Sequence, residues 1–192
     1  GKAIEATIDS IQMAWVGTVI AAVISLPLGF LAAANVAPRV VRYPLRVVFD
    51  IIRAIPELVL AVIILSVTGL TPFTGALAIG IHSIGTLGKW TFEAVENAET
   101  GPVEAATAAG ANRSQMVRWG LWPQVLPEIL SFWLYRFEVN VRAGAVLGLI
   151  GAGGVGQMLD ANARYHRWDV IGMLLIVVVV ATIVVDLLSG TM

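Results

Sequence analysis

Residues 170–185 read VIGMLLIVVVVATIVV, a run without a charge held between Asp169 and Asp186. A helix needs roughly 20 mainly apolar residues to cross about 30 Å of hydrocarbon. Residues 170–188 meet that requirement. Working outward, two more stretches lack charge: Asp9 to Arg39, and Glu57 to Lys89. The 192 residues are 58% apolar and 13% charged, whereas a soluble domain averages about 45–50% and 25%. So much apolar surface calls for lipid as the solvent, in an all-α polytopic membrane protein. Disorder needs low hydrophobicity and high net charge, and is excluded. A formal net charge of −1 gives no electrostatic reason to expect nucleic acid. The chain has no cysteine, so thiolate metal sites and thiol nucleophiles are excluded.

Five spans are expected in a single domain over residues 1–192, at about 11–34, 45–68, 73–93, 125–150 and 170–188. The run from Glu57 to Lys89 is too long for one span and is divided at Thr68-Gly-Leu-Thr-Pro72, a Gly/Pro turn signal. Arg39, Arg42, Arg46 and Arg53 cluster after the first span, and Lys89, Arg113 and Arg118 lie at the end of the third and in the loop beyond it. The positive-inside rule places both groups in the cytoplasm. The N-terminus of this chain is then outside, its C-terminus cytoplasmic, and a further upstream helix is expected.

The cytoplasmic loop of about residues 94–124 contains Thr100-Gly-Pro-Val-Glu-Ala-Ala-Thr-Ala-Ala-Gly110. Pro102 suits a first helical turn, and Glu104 suits the positive end of the helix dipole. Gly110 breaks the helix. Asn112 or Ser114 can cap a second short helix ending near Trp119. The small side chains would let another protein's backbone come close, although an ordinary connection reads the same way.

Glu104-Ala105-Ala106, Gly110 and Pro123 fall at the spacing E-A-A-x3-G, nine residues, I-x-L-P. This resembles the EAA loop of ABC-importer permeases, with Gly120 and Trp122 departing from the Ile and Leu positions. Arg53-Ala-Ile-Pro-Glu57, Pro123-Gln-Val-Leu-Pro127, Tyr135-Arg-Phe-Glu-Val-Asn-Val-Arg142 and Val146-Leu-Gly-Leu-Ile-Gly-Ala-Gly-Gly-Val-Gly-Gln157 are similar to phosphonate-transporter permeases. The resemblance implies a type I importer permease in a bacterial inner membrane, carrying phosphonate-like anions. It implies a homodimer, a cytoplasmic ATPase dimer that holds ATP and Mg, and a periplasmic or lipid-anchored substrate-binding protein. It also implies that Glu104, Ala105, Ala106 and Gly110 form the coupling helix. No cofactor or metal is expected on this chain. A phosphate or methionine importer, or a secondary transporter, remains an alternative.

The fourth span carries Arg136, Glu138, Asn140 and Arg142. A charge near the bilayer centre costs at least about 2.5–3.5 kcal/mol, so such residues rarely face lipid. At 100° per residue, Arg136 and Asn140 share one face, and Glu138 and Arg142 roughly the opposite one. Glu138 and Arg142 can pair at i,i+4, which leaves Arg136 without a local partner. Two readings stand. Arg136 attracts an anion along a path, its planar fork suiting phosphonate oxygens, or it belongs to an ion-pair network with Glu57 or Arg53. On the third span, His82, Thr86, Lys89 and Glu93 lie on one helical face. That face lines a path or packs against another helix.

Gly151, Gly153, Gly154 and Gly156 form a G-x-G-x-x-G. A dinucleotide site also needs a second strand and a later acidic residue. Here a membrane span follows, so a tight outer bend is expected. By resemblance, that bend lies near the gate and the binding-protein docking surface. No P-loop motif is present, and no Ser/His/Asp set, H-E-x-x-H or aspartate pair lies within the spans. An intramembrane enzyme is therefore disfavoured.

Overall fold

The computed structural model describes residues 2–190, and the expected domain extends past it at residues 1, 191 and 192. The described residues contain helices and no strand. They run α1 (Lys2–Ala32), α2 (Arg39–Ala54), α3 (Glu57–Thr68), α4 (Pro72–Asn97), α5 (Thr100–Ala108), α6 (Arg113–Gln115), α7 (Trp122–Leu147), α8 (Gly154–Arg164) and α9 (Trp168–Gly190). π-helical turns at Met116–Leu121 and Gly148–Ala152 flank α7.

Helices α1 and α4 form the centre. A Cβ built on Gly17 would meet Ile79 and the Ala76 carbonyl, and one on Gly29 would meet Thr91. The two helices therefore run in the same direction with their backbones in close approach, as small residues permit. Helix α7 runs the opposite way beside them, with Gly144 against the Ser10 carbonyl. The end of α4 joins a cluster of Ala32, Ala33, Phe49, Phe92, Val95, Leu121, Val125 and Ile129.

The expected span at 45–68 is present as a path but not as one helix. Helix α2 ends at Ala54 and α3 begins at Glu57. Pro56 has no N–H to give and its ring obstructs the preceding turn, so the helix restarts there. The two pieces still follow α4 in the opposite direction. Gly88 meets Phe49, Gly85 meets Ile52 and Arg53, Glu57 faces His82, and Thr68 bonds to Thr74. At 12 residues, α3 is about 18 Å long and cannot cross a bilayer alone.

By length and apolar composition, Ala3–Ala32 and Trp168–Leu187 qualify as single spans among the described residues. The bent pair Arg113–Ala152 and Gly154–Arg164 would make a third, against the five expected. Helix α4 is long enough but fails on composition, because it carries His82, Lys89, Glu93 and several Gly and Thr residues. It is also the helix most surrounded by others, so Thr74, Ser83, Thr86 and Thr91 are buried against protein, while Lys89 and Glu93 pair with each other at a half-exposed end.

Two further expectations change. The helix after Asn112 does not stop near Trp119; it passes through the π-helical turn into α7. Between the expected fourth and fifth spans the outer bend does not lead straight into the last helix, because α8 intervenes. Its residues Gln157–Arg164 favour helix, and Asp160 pairs with Arg164 one turn on.

Candidate functional site: a mid-bundle polar cluster and an exposed helical hairpin

The cluster forms where α1, α3, α4 and α7 meet. Thr18, Ser83, Arg136 and Asn140 are buried there. Arg136 Nε donates to Ser83 Oγ at 2.9 Å. Arg136 Nη2 lies 2.8 Å from His82 Nδ1. A guanidinium only donates, so this nitrogen accepts and the neutral ring keeps its proton on Nε2. Asn140 Nδ2 donates to Thr18 Oγ1 at 2.8 Å and to Ser83 Oγ at 3.1 Å. Ser83 Oγ lies 3.3 Å from Asn140 Oδ1, with Ser83 as donor.

Glu57 supplies the counter-charge. Its Oε2 is 3.8 Å from Arg136 Nη2 and 3.8 Å from His82 Nδ1. Its Oε1 is buried without a partner. The carboxylate opens α3, at the positive end of that helix. Arg136 thus gains tertiary partners where the sequence offered no local one. Thr86, one turn further along α4, is also buried. Lys89 and Glu93 lie 3.6 Å apart beyond it, so the expected stripe divides into a buried half and a paired charged end.

The opposite face of α7 is separate. Glu138 and Arg142 pair with each other. Glu138 faces a cavity of about 800 Å³ shared with Trp15, Phe137 and Asp186, between α1, α7 and α9. The expected division of Arg136/Asn140 from Glu138/Arg142 is therefore observed.

The second feature is the hairpin of α5 and α6. Glu104, Ala105 and Gly110 are exposed and Ala106 is half-buried. Gly110 has φ +79°, a conformation that favours glycine and ends the helix. Asn112 caps α6 in a reciprocal box with Gln115. Two residues whose role the sequence does not show, Gln124 and Gly120, hold the hairpin to the bundle. Gln124 Oε1 accepts from the Glu99 N–H at 3.0 Å, and its Nε2 donates to the Glu99 carbonyl at 3.3 Å and the Gly120 carbonyl at 2.5 Å. A Cβ on Gly120 would lie 3.1 Å from the Pro102 carbonyl and Val103 Cα. The departure at Gly120 is thus what lets α5 sit directly on the π-helical turn.

At the other end of α7, Gly151, Gly153 and Gly154 have φ of +97°, +96° and +66°. These angles make the bend. Gly156 lies beyond it in α8, against Gly148 and the Ala145 carbonyl. No dinucleotide site accompanies the glycines, since no strand lies among the described residues.

A family profile described as "binding-protein-dependent transport system inner membrane component" matches residues 25–191. The chain is 38% identical over 186 residues to the phosphite transport system permease protein PtxC of Stutzerimonas stutzeri, covering 96% of this chain and 68% of that protein. It is 39% identical over 186 residues to the phosphate-import permease protein PhnE of Mycolicibacterium smegmatis, covering 96% of this chain and 35% of that one. The chain thus spans about a third to two thirds of these relatives' lengths. Its fold is similar to a chain of the inward-facing MetNI methionine ABC transporter, with a TM-score of 0.86 and 22% identity over 98% of this chain and 93% of that one.

Proposed function

The chain belongs to the binding-protein-dependent transport-system inner-membrane components, and from that premise we propose that it forms the translocation path of an ATP-driven importer for phosphonate-like anions. The fold is that of ABC-importer permeases, and members of the family are transport subunits rather than enzymes. The domain over residues 1–192 would lie in the bacterial plasma membrane, pair with a second copy, and receive substrate from a periplasmic or lipid-anchored binding protein. ATP and Mg would be held by a cytoplasmic ATPase dimer.

The observation that carries this reading is the exposed helix α5. It presents Glu104-Ala105-Ala106 on a short helix stopped at Gly110, and Gln124 and Gly120 fix its base to α7. A lever needs such a base, because motion of its tip then reaches the bundle. In this reading, closure of the ATPase pushes on α5 and the push passes through the π-helical turn into α7, the helix that bears Arg136. The outer glycine bend, Gly151 to Gly156, would connect α7 to the face that meets the binding protein.

An anionic substrate is supported by Arg136, buried at the level of the α2–α3 break. Methionine, a zwitterion, has less need of a buried guanidinium. The test is Glu104→Arg in the reconstituted transporter. Loss of ATPase association and of ATP-dependent methylphosphonate uptake is expected. Retention of both sinks the reading in favour of a secondary transporter.

A further inference from the structure

We propose that Glu57 is a displaceable counter-ion of Arg136, and that a tetrahedral oxyanion of phosphorus in transit takes its place on the guanidinium. The inference rests on the importer reading above and assigns the anion a position within it.

The argument begins with donors. A guanidinium has five N–H groups in a planar fork. In Arg136 one goes to Ser83 and one to His82. The remaining three make no hydrogen bond among the described residues. The counter-charge is Glu57, whose nearer oxygen is 3.8 Å from Nη2, beyond hydrogen-bond range. Its other oxygen is buried and unpartnered. Both sides of the pair are therefore under-satisfied, as a carboxylate that stands off from a fork built for two parallel bonds must be.

A PO3 group offers three oxygens in place of two, and is not tied to a backbone. It can approach until the free N–H groups bond to it directly, which the tethered carboxylate does not do. Ser83 holds the guanidinium at Nε and His82 holds it at Nη2, so the fork is already oriented when the anion arrives. Asn140, itself bonded to Thr18, braces Ser83 in turn. While no anion is present, Glu57 neutralises a charge that would otherwise stand alone in the bundle at high cost.

The location of Glu57 gives it freedom to leave. It is the first residue of α3, directly after the Ile55–Pro56 break. Helix α3 buries only Ala61 and packs chiefly on α4. A small displacement of its first turn would withdraw the carboxylate and uncover Arg136, without disturbing the α1–α4 centre.

The experiment is equilibrium dialysis of radiolabelled methylphosphonate against the purified permease–ATPase complex in lipid nanodiscs, without ATP. Removing a competing charge while keeping the shape, Glu57→Gln, is expected to tighten binding by about tenfold, on the order of one charge-assisted hydrogen bond. Arg136→Gln and the double variant are expected to bind nothing measurable. Unchanged or weaker binding in an assembled Glu57→Gln complex overturns the proposal. If Glu57→Gln does not assemble, Glu57→Asp decides. The shorter carboxylate should bind methylphosphonate a few-fold more tightly, and wild-type affinity would mark Glu57 as purely structural. ATP-dependent uptake by the wild type separates the two levels of inference. Uptake that persists in Arg136→Gln removes the counter-ion role and leaves the importer standing. No uptake of methylphosphonate, phosphite or phosphate by the wild type removes both.

Discussion

The Asn140 side chain donates to Thr18 Oγ1 at 2.8 Å and so fastens α7 to α1 through a fully buried amide. Thr18 also donates to the Ala14 carbonyl at 2.7 Å. Asn140→Leu keeps the volume and removes the fastening. Thr18 retains its local bond and Ser83 retains Arg136, so the loss is confined to the interhelical bonds, about 1 kcal/mol. The thermal midpoint of the detergent-solubilised complex should fall by about 2–4 °C. An unchanged midpoint would show that the amide adds no stability.

Gly88 faces the ring of Phe49, and a Cβ there would lie 2.5–2.8 Å from three ring atoms. Phe49 is buried and stacks on Phe92 at 6.5 Å, so its ring has little room to retreat. Gly88→Ala should destabilise the complex by about 1–3 kcal/mol. Adding Phe49→Leu should restore most of the loss, as contacting sites couple. A double variant no better than the sum of the two singles argues against the contact.

Arg46 ties three elements at the end of α4. It pairs with Glu96, donates from Nε to the Ala32 carbonyl at 2.9 Å, and sits 4.3 Å above the Phe92 ring. Lysine retains the charge but has neither the fork nor the flat face. Arg46→Lys should therefore cost about 1 kcal/mol and hasten proteinase K cleavage in the 33–38 connection. Equal cleavage rates would reduce Arg46 to a simple surface charge.

Gly120 tests the lever. Gly120→Ile installs the residue that the family pattern carries at this place. Its Cβ would meet backbone at 3.1 Å, which cannot yield as a side-chain tip does. Displacing α5 at a cost of about 1–3 kcal/mol should lower ATP-dependent uptake by about tenfold or more, with assembly of the permease itself retained. Normal uptake would mean that the seating of α5 is immaterial to coupling.

How far the sequence disclosed this arrangement depends on the range of each signal. The two faces of α7 were legible because Arg136, Glu138, Asn140 and Arg142 are spaced within one helix. So was the stop at Gly110, a local conformational demand. Ser83 and Thr18 were not, because a hydroxyl on one helix carries no mark of its partner on another. The break at Ile55–Pro56 is marked by Pro56, but the apolar residues on either side of it have the combined length of one span and mask the interruption of the backbone between them. Helix α8 is masked in a similar way, because its first turn begins inside the glycine-rich bend. Gly120 looked like a blemish in a motif until the backbone opposite it was known.

The shared course of α1 and α4 has a mechanical corollary. Gly17 and Gly29 set one backbone into the side of the other, and Gly80 returns the fit with its Cβ position 3.3 Å from the Gly17 carbonyl. Such meshed surfaces resist both sliding and rolling, since either would drive side chains into main chain. The pair behaves as a beam. The path formed by α2 and α3 is an arm with an elbow at Pro56, where the helical hydrogen-bond ladder is interrupted. Strain applied to the molecule will concentrate at the elbow, and the elbow lies at the depth of the Arg136 guanidinium.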